Sequence, residues 1–575
     1  MSWKLKEKTR DRVSRERNSI EKKTWTGRSV ALVYPNSDQV GMGNLGFQKV
    51  YAVLNSLENV YCHRCFLPDP EDSGLLKKQG VPLFSHESQT PLSHYDIIAF
   101  SVTFEMDYLH VLQILDLAHI PLRQEDRGER DPFILVGGVC PSFNPEPLAL
   151  FADAFAVGEG EELLPEFFRI FDKKLPKADL LKSLAEIKGM YVPSGYEIEY
   201  NAKGAIASIE AKHGFPEKVQ RRWLKDMDKF PTATVISAPE AVFGDMHVVE
   251  INRGCGRHCR FCLAGYLFRP PRFYSLEAIK SEIDRGLKNG KRIGLLGSAC
   301  CDHTDIVSIA RYIVESGGGF SLSSLRLECI PDGLIELLAG SGHRTVTVAP
   351  EAGTERLRSA INKPLSHAEL MGAVEKIFSQ GISNLKLYFL IGLPSETGED
   401  IDAISSLARD ICAARERLAC GGKGLVTISV NPFVPKPFTP FQRVGMEGED
   451  SAKRKLKRIK EGLKGINNLK LIHEKPKWSL LQGLLSRGDR RVGDLLLKVH
   501  ESGDDWRAVI RKNSWEMEFY ALRDIPGDEI LPWDILDCGV KGEYLAREFQ
   551  NFLSGKATPP CPTTTCYRCG DFEGM

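Results

Sequence analysis

The 575 residues are 42% hydrophobic and 26% charged, a globular balance that excludes a mostly disordered chain. Lys+Arg and Asp+Glu both count 76, so no net charge draws the chain towards nucleic acid or an anionic membrane. At roughly 150 residues per domain the length predicts three or four domains, and no apolar run reaches the ~18 residues of a membrane span.

Residues 1–28 hold ten Lys/Arg against four Asp/Glu and are read as a basic polar tail, helical, solvated and laced with i,i+4 charge pairs. No apolar signal-peptide core is seen there, and a cytoplasmic protein is expected. From 29 to 170, β-branched runs at Val30–Tyr34, Asp96–Ser101, Phe133–Val136 and Ala154–Val157 alternate with helical patterns at Leu45–Leu54, Tyr108–Ala118 and Glu161–Phe171. Alternating strand and helix predicts a doubly wound parallel sheet, whose ligands sit beyond the carboxyl ends of its strands. Residues 171–240 read as a Lys-rich connector with some strand-like segments, such as Gly189–Val192, and without a site. Residues 241–465 repeat the βα pattern, with strands expected at 247–251, 293–296, 325–328, 345–348, 385–390 and 426–430 and helices near 275–288, 304–315, 366–379 and 399–415. That predicts a partial (β/α)6 barrel with its site at the C-terminal strand ends. A Lys/Arg-rich helix at about 450–464 closes it, and residues 466–575 form a small C-terminal module. The fold class is α/β.

The chain has fifteen cysteines, too unevenly placed for a disulfide framework in a reducing compartment. Three of them lie in Arg253-Gly-Cys255-Gly-Arg-His-Cys259-Arg-Phe-Cys262, immediately after a predicted strand. Three thiolates on one loop can hold three corners of a [4Fe–4S] cubane, leaving one iron open to a chelating molecule. A structural zinc site would want a fourth ligand, for which His258 is poorly placed between two of the cysteines.

This CxxxCxxC, with Phe261 before the last cysteine, resembles the signature of the radical S-adenosylmethionine (radical SAM) superfamily. Further segments carry the resemblance through about residues 245–445: Gly297-Ser298-Ala299, APEAGTERLRSAINK with Glu351 and Arg356, YFLIGLPSET with Gly392, and NPFVPKPFTPFQ. The family implies a [4Fe–4S] cluster on Cys255, Cys259 and Cys262 and S-adenosylmethionine near Phe261, Gly297, Ser298, Glu351 and Gly392. The acidic residue usual after the second strand is missing, so only backbone contacts carry over at 297–298. Reductive cleavage would release a 5′-deoxyadenosyl radical to act on a substrate that no motif identifies. An electron donor such as flavodoxin or ferredoxin is implied as partner.

In the first sheet, Gly41-Met-Gly43-Asn-Leu-Gly46 is formally GxGxxG, yet six residues separate it from the strand, against the tight turn of a dinucleotide site. Together with GGVCPSFNPEPLALFADAFAVGEGEE it resembles the cobalamin-binding-like domain that precedes many radical SAM barrels. The DxHxxG motif that supplies histidine to cobalt is absent. Cobalamin bound without that histidine and a degenerate domain kept as a lid or substrate platform are the alternatives.

Near the far end, Cys561, Cys566 and Cys569 form CxxxxCxxC, with Cys538 as an available fourth thiol for zinc or a second Fe–S cluster. A flexible tail of unligated thiols is the plain alternative. Cys62 and Cys65 read as buried cysteines, and Cys300-Cys301-Asp302-His303 as pocket lining. Methyl transfer to an unactivated carbon is the expected reaction if cobalamin binds. The rivals are a methylthiotransferase-like modification of RNA or protein and a non-catalytic iron–sulfur electron-transfer or sensor protein.

Overall fold

The computed structural model describes residues 2–20, 27–323, 325–418, 424–561 and 568–570. Six strands form the first sheet: β1 (Arg28–Tyr34), β2 (Val60–Phe66), β3 (Ile97–Ser101), β4 (Phe133–Gly137), β5 (Ala154–Ala156) and β6 (Met190–Tyr191). Their order is β2-β1-β3-β4-β5-β6, parallel except for β6. β1 and β3 are buried along nearly their whole length, the pattern of strands covered on both faces. The strand order reverses between β1 and β3, which opens a crevice at their carboxyl ends. Cys62 and Cys65 lie buried on β2, as expected.

The second βα series is a curved parallel run. Strands β7 (Met246–Arg253), β8 (Arg292–Gly297) and β9 (Phe320–Leu322) meet β10 (Thr345–Glu351), β11 (Asn384–Ile391), β12 (Val426–Pro432) and β13 (Leu469–His473) through a single bridge, Leu325 to Val348. Helices Leu276–Lys288, Ile306–Glu315, His367–Ser379 and Gly398–Leu418 alternate with them, close to the expected spans. Ser366 and Glu369 form a capping box that starts the third of these. One core, including Ile283, Ile309, Leu387, Phe389 and Ile411, fills the space between strands and helices.

Four expectations change. The third strand is not 325–328: it comes earlier, at Phe320–Leu322, and Leu327–Cys329 is a 3₁₀ turn. The Leu-Arg-Leu-Glu alternation mimics a strand, but Arg326 leaves the ladder to reach the cysteine loop. A seventh parallel strand, β13, extends the sheet beyond the six read from the sequence. The first helix, Ser2–Arg15, is no solvated tail: Lys8 pairs with Asp72 at 2.7 Å, Arg12 pairs with Asp38 at 2.8 Å, and Arg17–Asn18 pair with Ile236–Ser237. Only its Arg15–Asp11 bridge is the expected i,i+4 pair. The connector contains a hairpin, Tyr196–Tyr200 with Ile206–Ala211, and its Thr232 lines a cavity between the first sheet and the barrel.

Candidate metal centre and cavity

The cysteine loop leaves the carboxyl end of β7. Gly254 turns it at φ +75°, and a Cβ there would lie 2.2 Å from the Phe268 carbonyl oxygen, so only glycine fits. Cys255 and Cys259 are buried and Cys262 is half-buried. Three contacts pin the loop. Asn252 donates from Nδ2 to the Gly254 carbonyl at 3.1 Å, Arg257 binds Asp302 through both Nε (2.9 Å) and Nη2 (2.5 Å), and Asn362 donates to the His258 carbonyl at 3.2 Å. The loop is thereby fastened to the exits of β8 and β10.

Positive charge converges on the thiols. Arg326 Nη1 lies 3.7 Å from Cys259 Sγ. Lys363, buried, forms a 3.1 Å ion pair with Glu351; burial would lower its pKa, but Glu351 and Cys259 keep it raised. Burial, then Cys259 and Cys262, pushes the Cys255 thiol up to about 12, and burial and Cys259 raise Cys262. Thiols in this condition lose their protons when a metal takes the protons' place. Among the described residues no three His, Cys, Asp or Glu side chains form a finished metal cage. Two buried thiols and a half-buried one on a single pinned loop, with two cations beside them, nevertheless fit an anionic cluster with three protein ligands.

A cavity of about 510 Å³ lies between the first sheet and this loop. Ser101, Thr103, Gly137 and Ser142 line it from the strand ends of the sheet, and Asn252, Gly254, Gly297 and Ser298 from the barrel. Its size falls within the range of ligand sites. No histidine occurs among the described residues lining it, so a cobalt centre there would lack an imidazole ligand. Around Gly41, residues Asp38–Met42 form a short helix rather than a dinucleotide turn.

The other expected site residues are spread over three strand exits. Gly297 and Ser298 border the cavity, and a Cβ on Gly297 would lie 1.9 Å from Asn252 Oδ1. Glu351 ends β10 at φ +67°, an uncommon backbone for a non-glycine residue. Gly392 turns at φ +78° after β11 and its N–H meets the Glu396 carboxylate at 3.0 Å. The Phe261 ring packs on an apolar group with Leu357, Phe441 and Phe552. Arg356 does not reach the cysteine loop and instead binds Asp400 at 2.5 Å and the Ser395 carbonyl. Cys300 and Cys301 are buried on the β8 exit, and His303 donates from Nε2 to the Tyr274 carbonyl at 3.0 Å. Sequence reasoning placed Asp302 only as pocket lining and gave no role to Arg326, Lys363 or Asn252, which hold or face the loop. Only the run after Glu351, which ends in Lys363, hinted at one of them.

The C-terminal thiols are 303 residues from the loop in sequence and touch it in space. The Cys561 N–H donates to the Gly256 carbonyl at 2.9 Å, and Cys561 Sγ is 3.2 Å from His258 Nε2. Cys569 is buried, with Arg269 Nη1 2.9 Å from its sulfur. Cys538 is buried nearby, its thiol pushed up to about 12 by burial, with Arg221 and Asp537 as its charged neighbours. Cys566 lies outside the described residues.

Residues 249–408 match the family model described as the radical SAM superfamily, and residues 46–193 match that for the N-terminal region of radical SAM proteins. An uncharacterised protein of Methanocaldococcus jannaschii is 28% identical over 476 residues, 82% of this chain and 90% of that one. The 4′-phospho-dehydrooxetanocin synthase of Priestia megaterium is 28% identical over 212 residues, 35% of this chain and 24% of that one. Among solved structures, the radical S-adenosylmethionine methyltransferase TsrM from Kitasatospora setae, with cobalamin and a [4Fe–4S] cluster bound, has a TM-score of 0.51 at 14% identity. That match covers 83% of this chain and 100% of TsrM.

Proposed function

Because the chain belongs to the radical SAM superfamily and is one of its enzymes, we propose that Cys255, Cys259 and Cys262 hold a [4Fe–4S] cluster at which S-adenosylmethionine is cleaved. The observation that carries this reading is the loop itself: three thiols, two of them buried, beside Arg326 and Lys363, at the barrel end that opens on the cavity. Bound there, the cluster and S-adenosylmethionine supply an electron and a 5′-deoxyadenosyl radical, chemistry that belongs to the cofactors.

The chain binds, orients and excludes water. The backbone at Gly297–Ser298 receives the methionyl end, and Gly392 lets the cofactor approach the backbone after β11. The Glu351–Lys363 pair keeps a buried cation next to the thiols. Electrons arrive from a donor of flavodoxin or ferredoxin type. Cobalamin in the 510 Å³ cavity, held without histidine, makes methyl transfer the reaction we favour. The cavity joins the carboxyl edge of the first sheet to the barrel mouth, where a methyl carrier and a radical source must meet. The substrate is not specified by any residue of the cavity.

The test uses anaerobically reconstituted, dithionite-reduced protein and measures 5′-deoxyadenosine and methionine. Cys255→Ala, Cys259→Ala and Cys262→Ala are each expected to lose the cluster absorbance and reduce cleavage to the level without enzyme. Wild-type cleavage by any one of them would overturn the ligand assignment. Cobalt in the purified protein decides the cavity's occupant.

A further inference from the structure

Arg269 is a buried cation whose guanidinium faces two sulfurs. It is 1% exposed, and an arginine stays protonated even there. Among the described residues no carboxylate pairs with it. Its nitrogens reach the Gly265 carbonyl, Cys569 Sγ at 2.9 Å, Cys561 Sγ at 3.7 Å and His258 Nδ1 at 2.9 Å. A buried charge without a counter-charge is strongly destabilising.

The neighbouring histidine points the same way. A guanidinium can only donate, so His258 Nδ1, which also meets the Tyr544 hydroxyl, accepts from it. A neutral imidazole that accepts at Nδ1 carries its proton on Nε2, and that nitrogen is the one 3.2 Å from Cys561 Sγ. Arg269 and His258 thus aim N–H donors at the two sulfurs, and hold the half-buried Cys561 and the buried Cys569 together as a pair of soft ligands of the kind thiophilic metals take.

We propose that Cys561 and Cys569 ligate a second, thiophilic metal centre, zinc or iron–sulfur, seated against the CxxxCxxC loop, with Arg269 and His258 as its hydrogen-bond donors. His258 is a positioning residue in this site and not a ligand. The placement gives the loop a dual role, because Gly256 and His258, on the first cluster's loop, also form the bed of the second centre.

The experiment measures zinc, iron and sulfide in full-length protein in which Cys255, Cys259 and Cys262 are all changed to alanine. About one zinc, or about four irons, per chain is expected to remain. Adding Cys569→Ser should remove it. In the otherwise unaltered chain, Arg269→Gln should lower the retained second metal at least several-fold and Arg269→Lys should restore part of it. A triple-alanine protein that melts as a folded chain and holds neither metal overturns the proposal. Where that variant does not fold, unchanged metal content in Cys569→Ser alone does so. Failure is separable from failure of the proposed function: wild-type cleavage of S-adenosylmethionine reports on the first loop only.

Discussion

At Gly392 the backbone sits at φ +78° and a Cβ would come 3.2 Å from the Glu447 side chain. A β-branched residue in that conformation costs on the order of 1–3 kcal/mol, so Gly392→Val should both lower the melting temperature and weaken binding of S-adenosylmethionine. Iron content should stay that of the wild type, because the cysteine loop is on another strand. An unaltered dissociation constant would remove β11 from the cofactor site. Gly297→Ala should behave differently. Its Cβ would fall 1.9 Å from Asn252 Oδ1, so the buried Asn252 must move and give up its bond to the Gly254 carbonyl. Faster loss of iron is therefore expected, and retention at the wild-type rate would show that Asn252 does not hold the loop. The three cysteines of the proposed cluster were legible in the sequence because a site built on one loop writes its residues close together. Arg326, Lys363 and Asn252 were not, because nothing local marks a basic or amide residue whose partner arrives through the curvature of the sheet.

Elements with a clean period were legible to within a few residues, as at Leu276–Lys288, where one apolar face with Ile279 and Ile283 meets the barrel. Segments whose side chains serve two masters were not. The residues after β9 alternate like a strand, yet Arg326 is claimed by Cys259 and Glu328 and the ladder stops. The first helix looked solvated because its charges find partners only in the folded sheet. The cysteine loop is the element whose tethering is most open to test. Its Arg257–Asp302 fork is partly buried and joins it to the exit of β8. Asp302→Asn keeps the shape and removes the charge, so reconstituted protein should surrender iron to a chelator faster while its far-UV spectrum stays the same. Equal rates of iron loss would mean that the loop is held by its backbone contacts alone.

Across the whole molecule, one apolar core unites Leu112 and Phe151 of the first domain with Leu484 and Leu496 of the C-terminal module, and buried ion pairs reinforce the junction. Arg490 meets Glu146 at 2.9 Å, and Lys436 meets the buried Glu105. The tightest clasp, between the first sheet and the barrel, is Glu159, in the turn after β5. It takes Arg272 Nη2 at 2.6 Å and Nη1 at 2.9 Å, the Leu224 N–H at 2.8 Å, and Arg253 at 3.3 Å. Burial alone would raise its pKa; Arg272 first, then Arg253 and Arg221, reverse that and hold it down at about 2. An unfolded glutamate titrates near 4.3, so the depressed value represents about 3 kcal/mol of stability. The sign follows from the depression: the contribution is complete above the unfolded pKa and disappears as pH falls through about 2. Glu159→Gln should therefore melt well below the wild type at pH 7, since it leaves Arg272 and Arg253 buried without that partner. The gap between the two should narrow as pH falls from about 4.5 towards 2, because the wild type loses the charge the variant never had. A gap that stays constant across that range would show that Glu159 acts by shape and not by charge. Since Glu159 and Arg253 also line the cavity, the same variant at pH 7 should bind a ligand in that cavity less tightly, while the thiols on the next loop keep their iron.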